Sequence, residues 1–231
     1  MAEIELELNQ EIDKEAKRKQ ARRERKCKAV VKAMQQLANS GLTKGTAGNI
    51  SVRFGSGMLI TPSGIRPEYL TEAMITELDS EGNKVSGPRA PSSEWQMHMA
   101  LYKHRRNINA VVHCHSRYAT MLACARKPIP PFHYMVLLTG QPTVPCAPYA
   151  AFGSDQLAHS VCGTMGEGNA CLMENHGQIV AAPNLDKAMW IAEEVEEQAH
   201  IYWGAEAIGG AKELTCIEIE AVQARFASYG Q

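Results

Sequence analysis

Two histidines separated by a single residue lie in the apolar run Val111-Val112-His113-Cys114-His115. A β-strand sends alternate side chains to opposite faces, so both imidazoles are expected to point the same way. A third histidine, His176, ends a second apolar stretch. Three imidazoles leave a fourth coordination position open, which is typical of a catalytic rather than a structural zinc. With 8 His in 231 residues such a pair also arises by chance, so the rest of the sequence must decide whether it binds metal.

A carboxylate follows two serines in Pro91-Ser92-Ser93-Glu94, where a helix is predicted to open and to continue to about Lys103. Ser92 or Ser93 suits the N-cap, and Glu94 suits the positive end of the helix dipole. One capping residue is enough for a helix, so the second serine favours a functional role. Free N–H groups and two hydroxyls at a helix N-terminus form an anion site.

Two loops upstream of this helix contain glycine. Segment 41–49 has three glycines and two threonines in nine residues, so its backbone N–H groups can cradle a phosphate. Composition alone favours an ordinary helix-to-strand turn there. Pro62-Ser63-Gly64 adds a hydroxyl and another glycine to a second loop.

Composition places the chain among globular proteins. With 231 residues, 45% of them hydrophobic, and a net charge of -1, it can bury a full core in one domain, and no global charge favours nucleic acid or a membrane. The 7 Cys are scattered without a CxxC pair, which indicates reduced thiols in a cytoplasmic protein. No apolar run approaches the ~20 residues of a membrane span, and the acidic N-terminus does not resemble a secretion signal.

A basic run at residues 14–28 follows an acidic segment at 3–13. Basic runs can contact nucleic acid, but no aromatic residues interleave with this one to stack on bases. Glu15 and Glu24 suit ion pairs within a helix. A solvated helix is therefore favoured over a nucleic-acid-binding arm.

Hydrophobic periodicity and turn residues predict alternating strands and helices. Residues 3–40 are predicted to be one long helix or an arm followed by a helix, with a buried face formed by Val30, Val31, Met34, Leu37 and Ala38. Strands are predicted at 50–53, 58–61, 74–78, 84–86, 110–115, 143–145, 170–173 and 178–181. Further helices are predicted at 116–125, from 154 or 155 to 165, at 185–208 and at 216–227.

Seven motifs occur in an order that resembles one known family. They are Gly41-Leu42-x-x-Gly45-Thr46-Ala47-Gly48-Asn49, Ile60-Thr61-Pro62-x-Gly64, Pro91-Ser92-Ser93-Glu94, Val111-Val112-His113-x-His115, Phe132-His133-Tyr134-Met135, Pro145-Cys146-Ala147-Pro148-Tyr149-Ala150-x-Phe152-Gly153 and His176-Gly177. From about residue 22 to the end, the chain resembles the class II aldolase/adducin family, and within it most closely the members that cleave L-fuculose 1-phosphate.

The resemblance implies an α/β fold, a three-layer αβα sandwich with a mostly antiparallel central sheet. Residues 1–21 would be an N-terminal helical extension and residues 22–231 the class II aldolase/adducin domain. It also implies a homotetramer with sites at subunit interfaces, a small phosphorylated sugar as substrate, and neither nucleic acid nor membrane as partner.

The family's functional residues match positions of this sequence. The implied ligands of one Zn²⁺ per subunit, with another divalent metal as an alternative, are His113, His115 and His176. The implied catalytic residues are Glu94 as acid/base, with Tyr134 and Tyr229, two tyrosines that reach a neighbouring subunit's site. The implied phosphate-binding residues are Thr46, Gly48, Asn49, Ser63, Gly64, Ser92 and Ser93, and Phe152 is implied near the substrate on the aldehyde side.

The implied reaction is reversible cleavage of a ketose 1-phosphate to dihydroxyacetone phosphate and an aldehyde. Burial of Glu94 is expected to raise its pKa toward a useful range for an acid/base. Leu137 and Leu138 stand where the fuculose enzymes have small residues, and Asn175 replaces a histidine. If those leucines line the aldehyde pocket, 5-deoxyribulose 1-phosphate or 5-methylthioribulose 1-phosphate becomes an alternative substrate. A pentulose-5-phosphate 4-epimerase and a non-catalytic scaffold are further alternatives.

Overall fold

The computed structural model describes the backbone of residues 2–226 and the side chains of residues 10–226. The helices are α1 (Ala2–Asn39), α2 (Trp95–His104), α3 (Arg117–Cys124), α4 (Asp155–Met165), α5 (Leu185–Ala207) and α6 (Cys216–Phe226). The strands are β1 (Asn49–Phe54), β2 (Gly57–Ile60), β3 (Thr76–Leu78), β4 (Lys84–Ser86), β5 (Ala110–Cys114), β6 (Cys146–Ala147), β7 (Ala170–Met173) and β8 (Gly177–Ala182). Short 3₁₀ helices lie at Pro67–Tyr69, Glu72–Met74 and Tyr134–Thr139.

The eight strands form one sheet in the order β4-β3-β2-β1-β5-β8-β7-β6. Among these strands only β6 and β7 pair in parallel, and every other neighbouring pair is antiparallel. Strand β5 lies between β1 and β8, and all of its residues are buried. A strand covered on both faces has little need of alternating polar residues, which explains its apolar run.

Two apolar cores form where helices pack against the two faces of the sheet. The first contains residues of α1, α3 and α5, such as Leu37, Leu122 and Ile191. The second contains residues of α2 and α4, such as Leu101 and Val161. The predicted three-layer sandwich with a mostly antiparallel sheet is therefore confirmed.

Within the side chains described from residue 10 onward, helix α1 packs on the sheet mainly through its C-terminal half. Val30 and Leu37 are fully buried, whereas Ile12 is 56% exposed. Side-chain contacts with the sheet begin at Lys19, whose Nζ lies 5.9 Å from the Phe54 ring centroid. The Arg22 guanidinium lies 5.1 Å from the same centroid, and Nε of Arg23 donates to Glu77 at 3.1 Å. Part of the basic run therefore packs on the domain.

Several predicted boundaries were wrong. The strand predicted at 143–145 is displaced to β6, and Val144 forms only an isolated bridge with Ile129. Helix α2 begins at Trp95 with Glu94 at the N-cap position, so neither serine caps it. The Ser92 hydroxyl instead accepts the backbone N–H of Glu94 at 3.3 Å, which is a local turn that competes with capping. Among the helices of residues 2–226, none has a segment long and apolar enough to cross a bilayer.

Truncating a side chain in the packed half of α1 tests this division of the helix. We expect Leu37→Ala to lower the free energy of unfolding by about 2–5 kcal/mol, because it leaves a cavity in the core. We expect the matched change Ile12→Ala to cost less than about 0.5 kcal/mol, because that side chain is exposed. Urea denaturation followed by circular dichroism measures both, and equal effects would contradict the packing described here.

Candidate active site

The sheet register brings the three histidines together. Strands β5 and β8 are antiparallel, with His113 opposite Ile179. The end of β5 therefore meets the start of β8, which places His115, one residue beyond β5, beside His176, one residue before β8. The neighbouring strands β5 and β8 thus bring together histidines that are about sixty residues apart in sequence.

Two glycines allow the backbones around the histidines to approach closely. A Cβ added to Gly177 would lie 2.6 Å from the Cys114 carbonyl oxygen and 3.0 Å from Cδ2 of His115. A Cβ added to Gly48, whose φ is +77°, would lie 2.8 Å from the His113 carbonyl oxygen. Larger residues at either position would push the histidine-bearing strand ends apart.

The three imidazoles form a compact cluster. Their ring centroids are 4.8–4.9 Å apart, and the ligand nitrogens all lie within 4.8 Å of one another. The Nε2 atoms of His113 and His115 are 3.0 Å apart. In a tetrahedral zinc site the ligand nitrogens are about 3.3 Å apart, as Zn–N distances of about 2.0–2.1 Å require.

The protonation of the cluster suits metal binding. Nδ1 of His113 lies 2.8 Å from the Gln178 carbonyl oxygen, so it carries the proton and leaves the Nε2 lone pair facing the cluster. Burial and the neighbouring imidazoles of His113 and His176 lower the pKa of His115 to about 4. A neutral imidazole is the form that ligates a metal, so the three-histidine site fits a divalent ion.

Glu94 lies at the edge of the histidine cluster. Its Oε2 is 3.3 Å from Nε2 of His113, and its Oε1 is 3.0 Å from Nε2 of His176. Burial favours a higher pKa for this carboxyl, but the adjacent imidazoles of His113 and His176 lower the pKa well below its usual range. The expectation of a raised pKa was therefore wrong for these surroundings, and Glu94 is a carboxylate at neutral pH.

One cleft of about 290 Å³ contains most of the predicted site. Its lining includes every predicted phosphate-binding residue, together with Glu94, His115, His176 and Phe152. Fully buried His113 closes the inner end of the cluster, where its Nε2 faces that of His115. The structure therefore brings together the predicted metal, acid/base and phosphate residues of a single chain.

The loops along one side of the cleft are tied to each other by backbone hydrogen bonds. The Thr61 carbonyl accepts the Ser92 N–H at 3.0 Å, and the Ser63 N–H donates to the Ala90 carbonyl at 3.2 Å. Among the described residues, no lysine or arginine lines the cleft. An anion bound there would be held by hydroxyls, amides and backbone N–H groups near the start of α2.

Several predicted residues lie elsewhere. Tyr134 is 47% exposed and stands away from the cleft, where its ring faces Phe226 with centroids 6.5 Å apart. Tyr229 lies outside the described residues. Leu137 and Leu138 are buried in a 3₁₀ helix and do not line the cleft, so the idea that they shape the aldehyde pocket is not supported within one chain.

Five residues that were not predicted to be site residues also line the cleft, and two of them, Tyr149 and Asn175, have polar side chains. Tyr149 is 59% exposed at the rim, and Asn175 precedes His176 with a φ of +56°. Asparagine tolerates this left-handed conformation better than most residues. Tyr149 lies within the motif at residues 145–153, and Asn175 directly precedes His176. Their positions in or beside these motifs could have indicated that they belong to the site.

The geometry agrees with comparisons with known proteins. The family described as "Class II Aldolase and Adducin N-terminal domain" matches residues 28–203. L-fuculose phosphate aldolase of Escherichia coli K12 is 41% identical over 209 residues, which cover 90% of this chain and 97% of that protein. This chain belongs to the class II aldolase/adducin family, and it is an aldolase, a lyase.

Two other relatives are informative. The 5-methylthioribulose-1-phosphate/5-deoxyribulose-1-phosphate aldolase of Rhodospirillum rubrum is 42% identical over 201 residues, covering 87% of this chain and 90% of that protein. A solved structure of an L-fuculose 1-phosphate aldolase superposes with a TM-score of 0.84 at 41% identity, covering 87% of this chain and 96% of that one. The prediction of the family and of its fuculose-type members is therefore confirmed.

Removing one imidazole tests the metal site. We expect His115→Ala to lower the bound divalent metal at least roughly tenfold, because two imidazoles cannot complete a three-ligand site. Mass spectrometry of the metal content after dialysis measures this. His159→Ala, which changes an exposed histidine on α4, is the control and should keep its metal; full retention by His115→Ala would rule out this ligand.

Proposed function

We propose that this chain is a zinc-dependent aldolase that cleaves a deoxyketose 1-phosphate, reversibly, to dihydroxyacetone phosphate and an aldehyde. One observation carries the proposal. A carboxylate lies 3.0 Å and 3.3 Å from two nitrogens of a three-histidine cluster, in the same cleft as three loops that carry hydroxyl, amide and backbone N–H groups. Carbon–carbon cleavage next to a carbonyl needs this combination of a polarising centre, a proton carrier and an anchor.

In this proposal His113, His115 and His176 hold the metal. Three nitrogen ligands with an open position suit zinc in a catalytic site. When bound, the metal supplies Lewis-acid polarisation of the ketose C2 carbonyl and offsets the negative charge that develops there.

Glu94 is proposed to move the proton at C3. During cleavage the C4 hydroxyl gives up its proton as C4 becomes the aldehyde carbon, and the electron pair of the C3–C4 bond flows toward the C2 carbonyl. C3 then takes up a proton, which balances the one lost from the C4 oxygen. In the reverse direction the same carboxyl group removes that proton from dihydroxyacetone phosphate. Glu94 can accept that proton because its pKa lies below the usual range and the group is unprotonated at rest.

The phosphate is proposed to bind among the loop hydroxyls and N–H groups. The proposed ligands are Thr46, Gly48, Asn49, Ser63, Gly64, Ser92 and Ser93, all in the lining of the cleft. Anchoring the far end of the substrate would orient C2 and C3 toward the histidines and Glu94, which converts binding into positioning.

The aldehyde portion is proposed to lie toward Phe152, which is 72% exposed at the cleft rim. Such an open rim suits a small, partly apolar group. The relatives named for L-fuculose phosphate and for 5-deoxyribulose 1-phosphate have nearly equal sequence identity to this chain, 41% and 42%. Both sugar phosphates are therefore candidate substrates.

We further propose a homotetramer in which Tyr134 and Tyr229 reach a neighbouring subunit's cleft, where a phenol could exchange a proton with the aldehyde oxygen. The exposure of Tyr134 supports this role.

Residues 22–231 would form the catalytic domain and residues 1–21 an extension. Seven free cysteines support a cytoplasmic location.

Product release tests the proposed reaction. Zinc-loaded protein mixed with L-fuculose 1-phosphate or 5-deoxyribulose 1-phosphate should release dihydroxyacetone phosphate, measured by a coupled reductase that consumes NADH. The unphosphorylated sugars should react much more slowly, because they lack the anchor. No release from either phosphate or from rhamnulose 1-phosphate would refute the proposal.

Changing the carboxylate to an amide tests the proton carrier. We expect Glu94→Gln to retain metal, because the three imidazoles remain, and to lose roughly 10²–10⁴-fold in kcat, because an amide cannot carry the proton. Metal analysis and turnover are measured on the same preparation. An active Glu94→Gln protein would show that another group moves the proton.

A further inference from the structure

A chain of buried polar side chains runs from Glu94 into the layer between the sheet and α2. Nδ2 of Asn49 lies 2.9 Å from Oε2 of Glu94, and Oδ1 of Asn49 lies 2.5 Å from Nε2 of His98. Nδ1 of His98 lies 2.8 Å from the Ser51 hydroxyl, which is 2.9 Å from the Tyr102 hydroxyl. His98, Ser51 and Tyr102 do not line the cleft and have no part in the mechanism above.

The direction of every hydrogen bond in this chain follows from the orientation of the Asn49 amide. Nδ2 of Asn49 is a donor and lies 2.9 Å from Oε2 of Glu94, so Oδ1 of Asn49, an acceptor, faces His98. His98 must then donate through Nε2, and as a neutral imidazole it accepts at Nδ1. Ser51 donates its one hydroxyl proton to that nitrogen, so it accepts from Tyr102. A single pattern of donors and acceptors satisfies all five groups.

Burial makes any other pattern costly. His98 and Ser51 are 0% exposed, and Asn49 and Tyr102 are 3% exposed. Burial, together with the nearby His113 imidazole, lowers the pKa of His98 to about 3, so the ring is neutral. Reversing one bond would set two acceptors against each other without water to replace the lost partner.

The fold supports this chain from two rigid elements. Glu94, His98 and Tyr102 are spaced four residues apart along the start and body of α2, which places them on one helix face. Asn49 and Ser51 are two residues apart on β1 and face that helix, while their neighbour Ile50 faces the opposite core. The α2 residues cannot shift without moving the helix, and the β1 residues cannot shift without moving the strand.

We propose that His98 is a positioning residue that acts through Asn49 to hold one oxygen of the catalytic carboxylate. This rests on the proposed role of Glu94. With Oε2 bound by Asn49, Oε1 remains as the oxygen that exchanges the proton with the substrate. In the described part of the chain Oε1 makes no hydrogen bond, and His176 Nε2, its 3.0 Å neighbour, is a proposed metal ligand.

Asn49 has a second reason to be held in one orientation. Its remaining Nδ2 hydrogen is available to the phosphate end of the cleft, which Asn49 also lines. If the amide turned over, an acceptor would face both Glu94 and the phosphate. His98 prevents this, because its Nε2–H can donate only to an oxygen, and therefore requires Oδ1 of Asn49 to face it.

Three substitutions at His98 test the proposal. A glutamine amide can occupy the Nε2 position and donate to Asn49, whereas an asparagine amide reaches only the Nδ1 position and leucine offers no polar group. We expect His98→Asn and His98→Leu to lower kcat by roughly 10- to 100-fold, with a smaller rise in KM. We expect His98→Gln to retain kcat within a few-fold of the unchanged protein.

The controls separate positioning from packing. His104→Leu, at an exposed histidine on the same helix, should leave kcat unchanged. Metal content should stay constant in all variants, and their melting temperatures show whether the Asn and Gln variants are equally folded. Full activity in His98→Leu, or equal activity in the Asn and Gln variants at equal stability, would overturn the proposal.

An activity-independent measurement distinguishes this proposal from the proposed function. Long-range ¹H–¹⁵N spectra of the wild type should show one imidazole, absent in His98→Gln, with a protonated Nε2 and a bare Nδ1 throughout the neutral pH range. If the wild type does not cleave the proposed ketose 1-phosphates, this tautomer still supports the directed chain of hydrogen bonds. The opposite tautomer, or a charged ring, would overturn it.

Discussion

The antiparallel pairing of β5 with both of its neighbours is the constraint on which the site depends. Register with β8 sets His113 opposite Ile179 and brings His115 beside His176. Register with β1 sets Asn49 opposite His113. A slip by one residue would turn the side chains of β5 to the other face, so ligands, amide and carboxylate contacts would be lost together. The apolar cores on both sides of the sheet hold that register, because each strand residue has a buried place on one face.

Polar groups buried beside these cores are tolerated because they satisfy one another. Glu94 is 8% exposed yet ionised, since two imidazoles and the Asn49 amide surround it. Isolated, such a carboxyl would become neutral. The polar groups that line the cleft beside Glu94 are hydroxyls, amides and imidazoles, and among the described residues no lysine or arginine lines it to stabilise the charge of Glu94 further.

Much of this architecture could be predicted from residue patterns. Periodicity located α1, α4 and α5 well, because long amphipathic helices repeat the same signal several times. The His-x-His pair, the doubled serine and the glycine loops identified cleft residues, because metal and anion binding restrict residue type as well as position. Short elements were less accessible: β6 is two residues long, and the start of α2 depends on a turn at Ser92 that competes with capping.

Sequence alone therefore indicated which residues could carry chemistry and which helices, strands or loops hold those residues, since both follow from local spacing. Tertiary structure decided which of them meet. The four-residue spacing of Glu94, His98 and Tyr102 is visible in the chain, but their partners on β1 depend on how α2 lies across the sheet. The lowered pKa of Glu94 likewise depends on two histidines from other strand ends. Electrostatics and hydrogen bonding act through space, over distances that only the packed fold defines.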